Sequence, residues 1–305
     1  MKIRLNPIVK KDFQVAARSM RLSWGLFAYE GMLTITFLLA LAVIQEINDN
    51  IYGDGNIYSS LIYLFPALAV AQLCLVALIV PIITSSSISG EKERQTFDIM
   101  LTTCMSPFSI VFGKVASAVM RILFYVAAGM PIMALPFVVG GLSWSSLIYF
   151  LLVVILISVL SGSIGIFCSS VSRRSITAVI LSFVFYFVIY ILTFFPALII
   201  GLWGWYDGNA GESLLILLFN PFVFFEEFFM HIMSGESVFG SSDWTSNFSR
   251  SDVGILTYTL ARGKLWLFVS AACLLLLSFL FMFAAAWKVN PMHTVSKRKK
   301  VKNRV

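Results

Sequence analysis

The residues that could do chemistry in this chain are few. Glu226, Glu227 and His231 fall close together in "EEFFMH". Two carboxylates and an imidazole could hold a metal or activate a water. Such a site needs further ligands, and the only other histidine, His293, lies in a lysine-rich tail. A serine nucleophile within the membrane would likewise lack a paired histidine. Cys74, Cys104, Cys168 and Cys273 are far apart, with no CxxC pair. They read as apolar fillers and reduced thiols, not as a disulfide frame or a metal site. Gly113-Lys114 and Gly263-Lys264 lack the upstream glycine of a phosphate-binding loop. The densest polar block is "SSSISGEKERQTFDIMLTTCMSP", Ser85 to Pro107, which holds Glu91, Lys92, Glu93, Arg94 and Asp98.

The elements that must position these groups are set by composition. The chain has 305 residues, of which 59% are hydrophobic and 12% charged, and its mean hydropathy is +0.91. Soluble domains carry about twice that share of charge. Lipid must therefore be the solvent over most of the length. Six runs are long enough to cross a bilayer as helices: 24–44, 61–84, 115–139, 144–168, 176–201 and 265–287. They do not alternate as barrel strands do. The first is too long for a signal-peptide core, so no cleavage is expected at Ala40-Leu41-Ala42.

Lys and Arg orient the spans. Lys2, Arg4, Lys10, Lys11, Arg18 and Arg21 precede the first. Lys92, Arg94, Lys114, Arg173 and Arg174 lie in loops on the same side. Lys288, Lys297, Arg298, Lys299, Lys300, Lys302 and Arg304 follow the last, against Arg250, Arg262 and Lys264 on the other side. Both termini are expected in the cytoplasm, and the charge of +7 sits on a membrane rim and predicts no nucleic-acid partner. Residues 1–22 place Ile8, Phe13, Ala16-Ala17 and Met20 near one face, as an amphipathic interfacial helix does. The tail 288–305 either touches anionic lipid or is a solvated end. In the external segment 202–264, the run Leu214–Met233 is broken by Asn220-Pro221 and carries Glu226 and Glu227. It predicts two short re-entrant helices rather than a span.

The block after the second span reads as a short amphipathic helix over 87–105. Ser89 or Gly90 caps it, Glu91 and Glu93 occupy its first turn, and Phe97, Met100, Leu101 and Cys104 form its apolar stripe. Arg94 and Asp98 are spaced to pair, and Pro107 ends this helix or starts the next. The run "SISGEKERQTFDIMLTTCMSPFSIVFGKV" resembles the signature of ABC-2-type ABC transporter permeases, whose pattern is "EKE.GT...LL.T.P.S...I..GK". The matching residues are Gly90, Glu91, Lys92, Glu93, Arg94, Thr96, Leu101, Thr102, Thr103, Ser106, Pro107, Ile110, Gly113 and Lys114. Gln95 stands where Gly is common, and Met105 departs from a Pro-Leu-Ser. The "FNPF" at Phe219–Phe222 also resembles the family's external segment.

The resemblance implies an all-α single transmembrane domain, 1–305, with six spans and a cytoplasmic coupling helix between spans two and three. It implies a permease in the plasma membrane that is not itself an enzyme. A separate ABC ATPase subunit would bind ATP and Mg and dock on Gly90, Glu91, Lys92, Glu93, Arg94, Thr96, Phe97, Leu101, Thr102 and Thr103; this chain binds no cofactor. It implies a second permease, identical or sister, with spans one and five at the seam, and export of an amphipathic, lipid-linked, peptide or drug-like substrate. Aromatic residues of span five, among them Phe183, Tyr186 and Tyr190, either line that path or face lipid as bulk. Glu30 is either a functional intramembrane carboxylate or an interfacial partner of Arg121 or Arg21. Gln72 is the polar group midway along span two. Pro131 and Pro136, with Gly162 and Gly165, permit kinks or close packing. The alternatives are a non-transporting sensor or assembly partner, and an intramembrane protease-like enzyme. The latter rests on the likeness of "EEFFMH" to the Glu-Glu…His arrangement of CAAX-type proteases. It fails on histidine number and side.

Overall fold

A computed structural model describes residues 14, 18–47, 61–97, 106–140, 143–195, 212–233, 235 and 265–289. The long helices are α1 (Met20–Ile47), α2 (Leu64–Glu93), α3 (Pro107–Gly140), α4 (Trp144–Val171), α5 (Ser175–Tyr190) and α7 (Leu265–Val289). The shorter α6 (Pro221–Met233) follows a 3-10 helix at Glu212–Phe219. Among the described residues there is no strand, and six helices are long and apolar enough to cross a membrane. The chain is an all-α, multi-pass membrane protein, as its hydropathy dictates. The expected interfacial helix lies almost wholly outside the described residues, and α1 already starts at Met20. The basic tail beyond Val289 and most of 202–264 also lie outside them.

The helix ends differ from the hydropathy limits. α2 runs past Thr84 to Glu93, so the expected helix over 87–105 does not exist as one element. Its first part is the last two turns of α2, and Asp98–Met105 lie outside the described residues. α3 begins at Pro107, where the missing N–H costs nothing, with Ser106 Oγ accepting from Ser109 N at 3.3 Å. α5 ends at Tyr190 and a 3-10 turn at Leu192–Phe194 follows it, while 196–201 of the expected span lie outside the described residues.

Two compact units divide the chain, Met1–Ala178 with Met282–Val305, and Val179–Phe281. In the first, α2 packs most extensively on α4 and α3. Lipid offers no hydrophobic drive for this, so close backbone approach and polar contacts must supply it. Gly165 shows how close: a Cβ there would lie 1.9 Å from Thr84 Oγ1 and 2.9 Å from Thr84 Cβ. Thr84 and Ser85 turn their hydroxyls back to Val80 O and Pro81 O, beside the interior proline Pro81. One turn on, Ser169 Oγ of α4 accepts from Ile88 N at 2.9 Å and Ser89 N at 2.8 Å. The opposite end is aromatic: Phe65 meets Phe137 at 4.8 Å and Phe150 at 5.8 Å between ring centroids. α1 joins α3 through Tyr29 stacked on Tyr125 at 5.7 Å, and Leu33 against Gly129.

In the second unit Asn220 is wholly buried and does the work the "FNPF" run requires. Its Nδ2 donates to Tyr190 O at 3.0 Å and Thr193 Oγ1 at 2.9 Å, which satisfies backbone where α5 stops. Its Oδ1 accepts from Phe222 N at 2.8 Å and caps α6, with Pro221 at the first helical position. Leu217, Leu218, Val223 and Trp266 close the core around it.

α2 ends in a Schellman motif. Thr96 N donates to Glu91 O at 3.0 Å and Gln95 N to Lys92 O at 3.2 Å. Gln95 takes the left-handed conformation this needs, at φ 58°. That explains why Gly is common at this place in the resembling pattern: only Gly adopts αL without Cβ strain.

Two outcomes are expected. Gly165→Val should lower the thermal unfolding temperature in detergent sharply, with overpacking of ~1–3 kcal/mol. Gly31→Ala, where an added Cβ meets nothing within 4 Å, should leave it unchanged. Gln95→Gly should raise stability by about 1 kcal/mol through relief of the αL strain, read as a higher midpoint in the same assay.

Candidate functional site at the charged end of α2

Successive residues on a helix point about 100° apart, so three in a row face three directions. Glu91, Lys92 and Glu93 use all three. Glu91 Oε1 accepts from Lys114 Nζ of α3 at 2.7 Å, an ion pair whose side chains are 28% and 8% exposed. Lys92 Nζ donates to Ser169 O at 3.3 Å, to Ser170 O, and to Ser172 O at 3.2 Å. These oxygens stand at the C-terminal end of α4, where carbonyls lack helical partners and the dipole favours a cation. Glu93 accepts from Ser175 N and from Ser175 Oγ, each at 2.8 Å. It thereby caps the first turn of α5, where a carboxylate is favoured.

The expectation that Glu91 and Glu93 open a helix is therefore corrected. They close one, at the end the dipole disfavours for acids, and their partners outweigh that penalty. Phe97 is also turned inward. It packs on the core of Ile88, Val111, Val115, Ile166 and Ala285, and its ring lies 5.7 Å from Lys92 Nζ. Gly90 is half-buried near Ser175. What stays exposed is Glu93 and the turn Arg94, Gln95 and Thr96, with Arg173 and Arg174 exposed in the α4–α5 connection. Leu101, Thr102 and Thr103 lie outside the described residues. Lys114, Ser169, Ser170, Ser172 and Ser175 are the partners that sequence reasoning did not assign. For the four serines the run "SSVSRRS" that closes span four was the one signal, and Lys114 stood in the quoted motif without an assigned partner.

The remaining candidates are separate. Glu30 Oε1 and Arg121 Nε are buried without hydrogen-bond partners, so the expected pairing with Arg121 is not made. The Arg21 side chain lies outside the described ones. Gln72 is fully buried, and neither of its amide atoms has a partner. Gly162 and Gly165 serve close packing, with Val115 and Thr84 against them. On α5, Phe183, Tyr186 and Tyr190 form one ladder, with centroids 6.4 Å and 5.5 Å apart. Glu227 is buried on α6 while Glu226 is exposed. Among the described residues no three His, Cys, Asp or Glu side chains could together hold a metal ion.

No curated protein matches the chain. A family model described as ABC-2 family transporter protein matches residues 17–288. That match spans every helix described above except the last residue of α7. The chain belongs to the ABC-2 family of transporter proteins and is a membrane component of an ABC transporter.

Proposed function

We propose that this chain is the permease of an ATP-driven exporter whose ATP-hydrolysing subunit is a separate protein docked on the exposed turn after α2. The observation that carries the reading is the shape of that end of α2. The three charges before the turn are occupied within the chain, while Arg94, Gln95 and Thr96 are held outward by a capped helix. A rigid, exposed, basic turn suits a partner groove lined with carboxylates, because charge complementarity orients docking. The dock is thus narrower at α2 than the sequence motif suggests. By the Lys and Arg bias this end faces the cytoplasm, with both termini, in the plasma membrane.

A second permease, identical or sister, would complete the path, with the apolar outer faces of α1 and α5 available to it or to lipid. The aromatic ladder on α5 suits an amphipathic, lipid-linked, peptide or drug-like cargo. ATP and Mg would be bound by the partner subunit alone.

The test is co-purification with the ABC ATPase encoded nearest its gene. Wild type should retain the ATPase through detergent. Arg94→Glu with Thr96→Glu should lose it by about tenfold, the equivalent of roughly 1.4 kcal/mol, at an unchanged unfolding temperature. Retention by the double variant would move the dock off this turn. If wild type never retains an ATPase, the ATP-driven permease reading fails. Reversing Glu91 and Glu93 would not test docking, since it breaks the inner contacts.

A further inference from the structure

We propose that Glu91, Lys92 and Glu93 are positioning residues that lock the exposed Arg94–Thr96 turn to three neighbouring helices, so that a push on the turn moves the ends of α2, α3, α4 and α5 as one piece. The inference rests on the permease reading above and goes beyond it by assigning a mechanical role to charges that the motif would give to docking.

Valence argues first. A lysine ammonium has three N–H donors, and Lys92 has three carbonyl acceptors. Nothing is left on it for a partner protein. Each oxygen of the exposed Glu93 accepts from Ser175, and Glu91 Oε1 holds Lys114 while its Oε2 is buried without a hydrogen-bond partner. A protein docking on Lys92 would first have to break contacts inside the permease.

Geometry argues second. The three ties leave one turn of α2 in three directions, and only Arg94 separates them from the αL residue Gln95. The ion pair to α3 resists sliding. The caps on α4 and α5 grip helix ends of opposite polarity, which resists both tilt and rotation of α2. The Phe97 ring, packed beside Lys92, closes the far side of the turn. A displacement at Arg94 therefore has no soft joint at which to dissipate before it reaches the helix ends. Through Glu93 it reaches Ser175, the start of the helix that carries Phe183, Tyr186 and Tyr190 farther along.

The experiment uses the full chain with its ATPase in nanodiscs. It compares wild type with Glu93→Ala, Glu93→Gln, Glu91→Lys and the swap Glu91→Lys/Lys114→Glu. The readouts are retained ATPase, KM for ATP, and kcat of ATP hydrolysis relative to the ATPase alone. Glu93→Ala and Glu91→Lys should keep the ATPase and its KM for ATP, and lose permease-dependent kcat by about threefold or more. Glu93→Gln, which still offers Ser175 an acceptor, and the charge swap should each restore most of it. A kcat left unchanged while only the unfolding temperature falls would overturn the inference, because the ties would then be structural caps. Loss of the ATPase that neither Gln nor the swap repairs would also overturn it, because the charges would then be the dock. If wild type itself binds no ATPase, the permease reading fails and takes this inference with it.

Discussion

A helix in lipid satisfies its own backbone everywhere except at its two ends, where four N–H and four C=O groups have no partner. In water those groups are solvated at little cost. In or beside a bilayer each needs a designed partner, and in this chain the partners are side chains from other helices. Lys92 serves the end of α4, Glu93 the start of α5, and Asn220 both the end of α5 and the start of α6. The order of the helices and their relative placement within each unit follow from who caps whom.

The same constraint accounts for an unlikely sequence choice. Two glutamates in the last turn of α2 oppose its dipole, and by themselves they would weaken it by a few tenths to about 1 kcal/mol each. A helix that had to stand alone would not end this way. The penalty is tolerable because each carboxylate completes a contact that α3 or α5 would otherwise lack. The partly buried Glu91–Lys114 pair is of the kind whose net stabilisation is small while its loss is costly. Such a pair specifies one arrangement more than it strengthens it.

Much of the fold was legible in the sequence because hydropathy reports directly on solvent, and all six spans follow from it. The ends were not legible, because hydropathy marks where lipid stops and not where a helix stops. α2 continues for nine residues beyond Thr84 on serine, glycine and charge. Ser169 and Glu93 have partners some eighty residues away in sequence, which no local pattern reveals. The last carbonyl of α5, Tyr190 O, accepts from Asn220, thirty residues on in sequence. The candidate site was legible as a place, but the internal partners of Glu91, Lys92 and Glu93 were not. Glu91 and Glu93 were assigned to a first turn by propensity, and tertiary partners override propensity.

Gln95 completes this logic. The motif's usual glycine would let the chain leave α2 without strain, and would also let it leave in many directions. A side chain at φ 58° narrows those choices, at a cost of about 1 kcal/mol. Upstream of it, three charges fix α2; downstream, the partly buried Phe97 packs against the core. The exposed turn is therefore rigid on both sides and strained at its centre. A loop meant only to join two spans would need none of this. If the turn carries the proposed dock, the capped end of α2 gives it a defined point of contact.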